Sequence, residues 1–198
     1  PTVTRVQIMT AFATKIRNRL SFIPQFMIEI SFLCGIMNNM NNLITFDNGL
    51  RLVCNNNPYV RSVSVGIYVG AGAKNERPFE SGVSHFVEHC VFKGTKTRSA
   101  FDIVNETERI GAMINAATSK TFTCFYTRSL DIHAEKCFEI LCDMVLNPAF
   151  DNDELDKERQ VVFEEIHESE DDPADVCYDN LCGAFFKGTP VSKPVLGT

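Results

Sequence analysis

Two histidines and a glutamate in the segment His85-Phe86-Val87-Glu88-His89 are the residues best suited to chemistry. If the segment is helical, His85 and His89 lie one turn apart on the same face, which suits a tetrahedral zinc ion gripped from one side. Glu88 then lies on an adjacent face, from which its carboxylate can reach a water molecule at the metal. We therefore predict that His85 and His89 bind zinc and that Glu88 is the general base of a hydrolytic reaction.

Such a zinc site needs a third protein ligand, and the acidic segment 151–179 offers candidates. Glu158 and Glu165 are seven residues apart, so on a helix they share one face with two valines. A buried acid there needs a compensating partner, such as a metal ion or a histidine N–H. We predict that Glu165 is the third ligand and that Glu158 orients a ligand histidine. Glu164 is an alternative ligand, turned about 100° away, and a solvated acidic helix is the alternative interpretation of the segment.

Hydrophobic periodicity and turn residues predict the elements that position these groups. The fold class that they indicate is α+β, with a mostly antiparallel sheet packed against a layer of helices. The predicted strands cover 43–46 and 50–54 as a hairpin, 63–69, 113–116 and 121–127; the predicted helices cover 81–93 with Ser81 as N-cap, 99–110, 131–146, 152–169 and 174–186.

Composition excludes some function classes. A net charge of −6 and a pI of about 5.2 argue against nucleic-acid binding, which needs a basic surface. We predict no membrane span, because the most apolar stretch, 20–37, contains Pro24, Gln25 and Glu29 and lacks the roughly 20 clean residues that a bilayer requires.

The eight cysteines are expected to be mostly reduced and buried, because a chain of 198 residues does not depend on disulfides to compensate for a small core. A four-thiolate metal site is the alternative. It would use Cys137, Cys142, Cys177 and Cys182.

Residues 1–40 differ from the rest of the chain, since they hold four basic residues and one acid. We expect this range to be an extension, or sequence upstream of the true start, and residues 41–198 to form the functional domain. Residues 1–20 are basic and acid-free, as organelle presequences are.

From residue 41 onward the chain resembles the pitrilysin, insulin-degrading enzyme and mitochondrial processing peptidase group, whose zinc motif is the inverted His-x-x-Glu-His. Glu165 follows His89 by 76 residues, which is about the spacing of the third ligand in that family. Further matching segments are Asn48-Gly49-Leu50, Gly82, Phe92-Lys93-Gly94-Thr95, Asn115-Ala116, Asn147-Pro148, Glu164-Glu165-Ile166 and Gly197-Thr198.

The resemblance implies the N-terminal half-domain of the pitrilysin-type fold, in which the strand at Asn115 and Ala116 binds the extended backbone of a peptide substrate. The chain departs from the family at Gly111-Ala112, where two glycines are usual. Family members consist of two related halves, the second of which supplies an Arg and a Tyr. A second homologous half or subunit is therefore expected as a partner, and the chain is expected to be truncated on its C-terminal side.

We thus predict a zinc-dependent endopeptidase with one Zn²⁺ per chain and peptides or extended segments as substrates. One alternative is a non-catalytic structural or partner subunit of the same family, and another is a thiolate-based redox or zinc module. The expected compartment is the bacterial cytoplasm, with the mitochondrial matrix as the alternative.

Overall fold

The computed structural model describes residues 28–32, 42–54, 59–77 and 79–198, the first of these ranges by its backbone. Its strands are β1 (Ile28–Phe32), β2 (Asn42–Thr45), β3 (Arg51–Cys54), β4 (Ser62–Val69), β5 (Met113–Thr118) and β6 (Thr123–Leu130). Its α-helices are α1 (Val83–Val91), α2 (Ala100–Arg109), α3 (Ala134–Leu146), α4 (Asn152–Asp171) and α5 (Pro173–Phe185). Short 3₁₀ turns lie at 73–75, 131–133 and 190–192.

The strands form one six-stranded sheet in the order β2-β3-β1-β4-β6-β5. All neighbouring pairs among these described strands are antiparallel except β1 and β3, which run parallel. Strand β5 lies at one edge, where it is joined to β6 by a tight turn in which the Ser119 amide donates to the carbonyl of Phe122. The edge position leaves one side of β5 without a neighbour among the described strands.

The helices α1, α2 and α3 pack on the sheet, and the core lies between them. Val65 and Ile67 of β4 are buried, while the flanking Ser64 and Tyr68 are half-buried, so this strand presents its apolar residues to the helical layer. The buried core contains residues from both layers. The sheet contributes Leu52, Val65, Ile67 and Phe125, and the helices contribute Val91, Ile103, Phe138, Leu141 and Met144. This confirms the predicted α+β class, with a mostly antiparallel sheet against a helical layer.

The predicted hairpin is present as β2 and β3, and the helix predicted after Ser99 begins with a reciprocal Ser99–Asp102 capping box. Five residues of the predicted extension, Ile28–Phe32, form strand β1 inside the sheet between β3 and β4. All the other residues of 1–40 lie outside the described ranges, and the domain boundary at residue 40 stays a prediction. None of the described helices combines the length and apolar character needed to cross a bilayer.

The start of α1 differs from the prediction, because the N-cap is Gly82 and not Ser81. Gly82 has φ +87°, a left-handed conformation that favours glycine. A Cβ at Gly82 would lie 2.4 Å from the carbonyl oxygen of Leu196, and one at Gly197 would lie 2.6 Å from that of Ser81. The helix that carries the histidines therefore begins in direct backbone contact with the C-terminal loop, and both contacting residues must be glycine.

A Gly82→Ala substitution is expected to destabilise the protein more than Gly111→Ala. Gly111 also has a left-handed φ of +63° but has nothing within 4 Å of an added Cβ, so its substitution carries only the conformational cost of about 1–2 kcal/mol. At Gly82 the backbone of Leu196 must also move, and we expect a loss of about 3 kcal/mol or more. Chemical denaturation of both variants measures the difference, and equal losses would contradict the close packing.

Candidate metal centre

Three potential ligand atoms converge where α1 packs against α4. His85 Nε2 and His89 Nε2 lie 3.1 Å apart, because the two residues occupy one face of α1. Glu165 of α4 brings its Oε2 to 3.3 Å from His89 Nε2 and to 3.7 Å from His85 Nε2. Within the described ranges, this is the one group of three or more His, Cys, Asp or Glu side chains close enough together to hold a metal ion.

The three donors fit a tetrahedral zinc ion. With bonds of about 2.0–2.1 Å to nitrogen and oxygen, tetrahedral ligand atoms stand about 3.3–3.4 Å apart, close to the three distances found here. Burial, and next the neighbouring His89, lower the pKa of His85. A lower pKa favours the neutral imidazole, which is the form that binds metals.

Glu158 orients one of the two imidazoles. It lies two turns before Glu165 on α4 and is only 5 % exposed. His89 Nδ1 donates a hydrogen bond to Glu158 Oε1 over 2.9 Å, which leaves the lone pair of Nε2 free for a metal. The second oxygen, Oε2, lies 2.5 Å from Lys93 Nζ. The buried carboxylate is thus paired on both oxygens, as a charge in the interior requires.

The two histidines differ in their support. His85 is 9 % exposed, and its Nδ1 is buried without a hydrogen-bond partner among the residues that the structure describes. Lys93, which supports His89 through Glu158, follows α1 by two residues, at a point where the chain turns through Gly94 with φ +122°. In the sequence, Lys93 follows His89 by four positions, which places it near the histidines. Its partner Glu158 lies 65 positions further on, so the pairing depends on the packing of α4 against α1.

Glu88 lies on the face of α1 that is turned toward β5. Thr118, the last residue of β5, donates a hydrogen bond from Oγ1 to Glu88 Oε2 over 2.5 Å. Sequence reasoning did not identify Thr118, because threonines are common in strands and the contact spans 30 positions. The carboxylate predicted to act as a base is therefore attached to the edge strand.

A buried carboxylate caps the start of α1. Glu76, which is 8 % exposed, accepts hydrogen bonds from the amides of Gly82 and Ser84, each over 2.8 Å. Two of the helix's free N–H groups are thereby satisfied by a residue outside the helix. Lys193 Nζ in turn bonds the carbonyl oxygens of Glu76 and Arg77, at 3.3 and 3.1 Å. These contacts fix the position from which His85 and His89 project.

Asn115 and Ala116 lie in the middle of the edge strand β5. The Ala116 amide donates to Asn115 Oδ1 over 2.8 Å and not to β6. Along an edge strand of an antiparallel sheet, alternate residues direct their backbone N–H and C=O groups toward the neighbouring strand and away from it. We infer that the N–H and C=O groups of Ile114, Ala116 and Thr118 point to the open edge. The edge is therefore a suitable template for a further strand.

The remaining candidates lie elsewhere. Glu164 is exposed and lines an acidic groove with His167 and Glu168, away from the histidine pair. The seven cysteines within the described ranges form no disulfide with one another, and five of them are buried. The four thiolates of the alternative site do not form a metal-holding group in the described part of the chain. Cys34 lies outside the described residues.

Comparisons with known proteins show the family to which the chain is related. The family model described as insulinase, peptidase family M16, matches residues 51–198. A zinc protease of Bacillus subtilis is 46% identical over 154 residues, which are 78% of this chain and 38% of that relative. A zinc protease of Mycobacterium leprae is 42% identical over 154 residues, or 78% of this chain and 35% of the relative.

Solved structures agree with the fold. A protease from Helicobacter pylori matches with a TM-score of 0.76 and 25% identity, covering 80% of this chain and 39% of that one. An inactive M16 peptidase domain from Pseudomonas fluorescens shares the fold with a TM-score of 0.71 at 14% identity, covering 79% and 38%. The chain thus spans less than two fifths of the length of these relatives.

A Glu76→Gln substitution is expected to destabilise the protein by about 1–3 kcal/mol, because one buried backbone N–H would then face an amide NH₂ group. The matched control is Glu80→Gln, because the Glu80 carboxylate accepts from the exposed amide of Arg77 and makes a surface ion pair with the same residue at 3.8 Å. This substitution should cost less than about 0.5 kcal/mol. Guanidinium denaturation compares the two. If the Glu76 variant were as stable as the control, the carboxylate would not be the cap that holds α1.

Proposed function

The chain belongs to the insulinase family of peptidases, family M16, and from this premise we propose that it forms the catalytic part of a zinc-dependent endopeptidase. The observation that carries the proposal is the convergence of His85 Nε2, His89 Nε2 and Glu165 Oε2 within one coordination sphere. We assign these three residues as the ligands of one zinc ion per chain. Glu158 is assigned as the acceptor that orients His89, with Lys93 as its counter-ion.

When bound, zinc lowers the pKa of a water molecule and polarises the carbonyl of the scissile bond. Glu88 takes a proton from the attacking water and later passes it to the leaving amine. Glu88 suits this role because it neighbours His89 in sequence but lies on a different face of α1. Because Nδ1 of His89 donates to Glu158, its Nε2 can present a lone pair to the metal.

The substrate proposed is an extended peptide segment that adds to the open edge of β5. Main-chain groups of Ile114, Ala116 and Thr118 would bond its backbone, which gives affinity without a strict demand for particular side chains. The peptide carbonyl would replace Asn115 Oδ1 as the acceptor for the Ala116 amide. Asn115 and Ala116 are thus proposed as substrate-binding residues.

A second homologous half or subunit is proposed to complete the site. This chain covers 38% of the Bacillus relative, and Glu165 is still 38 % exposed at its side chain, so the metal centre is open to solvent on the α4 side. A covering half would exclude water and contact the substrate from that side.

The cellular compartment stays a prediction, with the bacterial cytoplasm first and the mitochondrial matrix second. The matching zinc proteases are bacterial.

The second candidate function is that of a non-catalytic partner subunit. It is favoured by the inactive M16 domain of Pseudomonas fluorescens, which has the same fold. Retention of the complete His85, Glu88, His89 and Glu165 set in this chain favours catalysis. Zinc binding and proteolysis, measured separately, distinguish the two functions.

Glu165→Gln is expected to weaken zinc binding more than any other single acidic substitution on α4, because it removes a charged ligand. Glu158→Gln should weaken it about 10–100-fold through the loss of His89 orientation. Glu164→Gln is the matched control with an unchanged zinc affinity, since that side chain is exposed and turned away. Competition with a chromogenic chelator measures all three, and a loss of zinc in the Glu164 variant instead would reassign the ligand.

Glu88→Gln is expected to retain zinc but to lose about 10²–10⁴-fold in peptidase activity, because an amide cannot accept the proton of the attacking water. The assay uses the full-length protein with its second half or subunit and an unfolded polypeptide as substrate. Undiminished activity in this variant would remove the mechanism. A wild-type protein that holds zinc but cleaves nothing would leave the partner-subunit function.

A further inference from the structure

The hydroxyl of Thr118 has two oxygen neighbours among the described side chains, Glu88 Oε2 and Thr123 Oγ1. Each threonine hydroxyl has one proton to donate. Thr123 Oγ1 lies 3.4 Å from Thr118 Oγ1, but its own proton is used on the carbonyl oxygen of Ala71, 3.0 Å away. A hydroxyl that donates can still accept, so the distances decide: Thr118 donates to the carboxylate oxygen Glu88 Oε2 over 2.5 Å, much closer than Thr123 Oγ1.

The position of the Thr118 hydroxyl is set by the sheet. Thr118 pairs with Thr123 across the β5–β6 ladder, at the last pair before the turn. A β-branched side chain has few χ1 rotamers, so a fixed backbone fixes the hydroxyl. Thr123 is 7 % exposed and packs beside it. The Glu88 carboxylate is consequently held in register with β5.

Resting on the proposed function, we propose that Thr118 is a positioning residue that aligns the base Glu88 with the peptide bound along β5. The same residue has its main chain at the open edge and its side chain on Glu88. One short piece of backbone, Ala116 to Thr118, therefore sets both where a peptide strand bonds and where the Glu88 carboxylate lies. The second oxygen, Oε1, accepts no hydrogen bond from the described residues and remains available for water.

The test is Thr118→Val, which keeps the shape and removes the hydroxyl, beside Thr118→Ser, which keeps the hydroxyl. In the full-length active enzyme, Thr118→Val is expected to lower kcat roughly 10–100-fold, the effect of misplacing a catalytic group by about 1 Å. KM should change less than about twofold, because the backbone of β5 remains. Zinc affinity should equal that of the wild type, and Thr118→Ser should restore kcat.

Thr123→Val controls for stability, since it removes a neighbouring buried hydroxyl that does not touch Glu88; it should lower the denaturation midpoint but not kcat. Unchanged kcat in Thr118→Val, or an equal loss in Thr118→Ser, would overturn the inference. Crystal structures of the Val and Ser variants supply a measurement independent of turnover. A displaced Glu88 carboxylate in the Val variant alone supports the inference, and an unmoved one overturns it. Wild-type protein without peptidase activity would instead count against the proposed function.

Discussion

The packing of α4 against α1 is the contact on which the candidate site depends. It brings Glu165 to two imidazoles that are 76 and 80 positions away in sequence, and it buries Glu158 between His89 and Lys93. A buried carboxylate without partners is costly, whereas one with two charge-assisted bonds is stable. The contacts of Glu158 with His89 and Lys93 therefore join the two helices and set the orientation of His89, one of the candidate ligands.

The other end of α1 is held by different forces. Glu76 satisfies two free amides at the helix start, and the backbone of Gly82 touches that of Gly197. Lys193, which precedes Gly197, bonds two carbonyl oxygens in the segment at Glu76 and Arg77. The C-terminal loop is thus part of the support of the candidate metal centre, although none of the three candidate ligands lies in that loop.

Periodicity and turn chemistry were sufficient to predict the hairpin, the Ser99 cap and the helical faces, because each depends on residues close in sequence. The pairing of His85 with His89 is also local, since one helical turn fixes it. Local patterns could not identify Thr118 and Lys93, because their partners Glu88 and Glu158 are 30 and 65 positions away in sequence. They could not identify Glu76 either, because its partners are backbone amides, one of them 8 positions away. The helical face shared with Glu158 favoured Glu165 as the ligand but left Glu164 as an alternative, and the family spacing supported Glu165.

Charge balance gives a separate argument for a cation at the centre. Four carboxylates surround the histidine pair, and three of them are accounted for. Glu158 has Lys93 and His89, Glu76 has two amides, and Glu88 has the Thr118 hydroxyl. Within the described ranges, the ion-pair partners of Glu165 are the two imidazoles, and the lowered pKa of His85 disfavours the protonated form of its ring, which would neutralise the carboxylate. A divalent cation would supply the missing positive charge and bind all three donors at once.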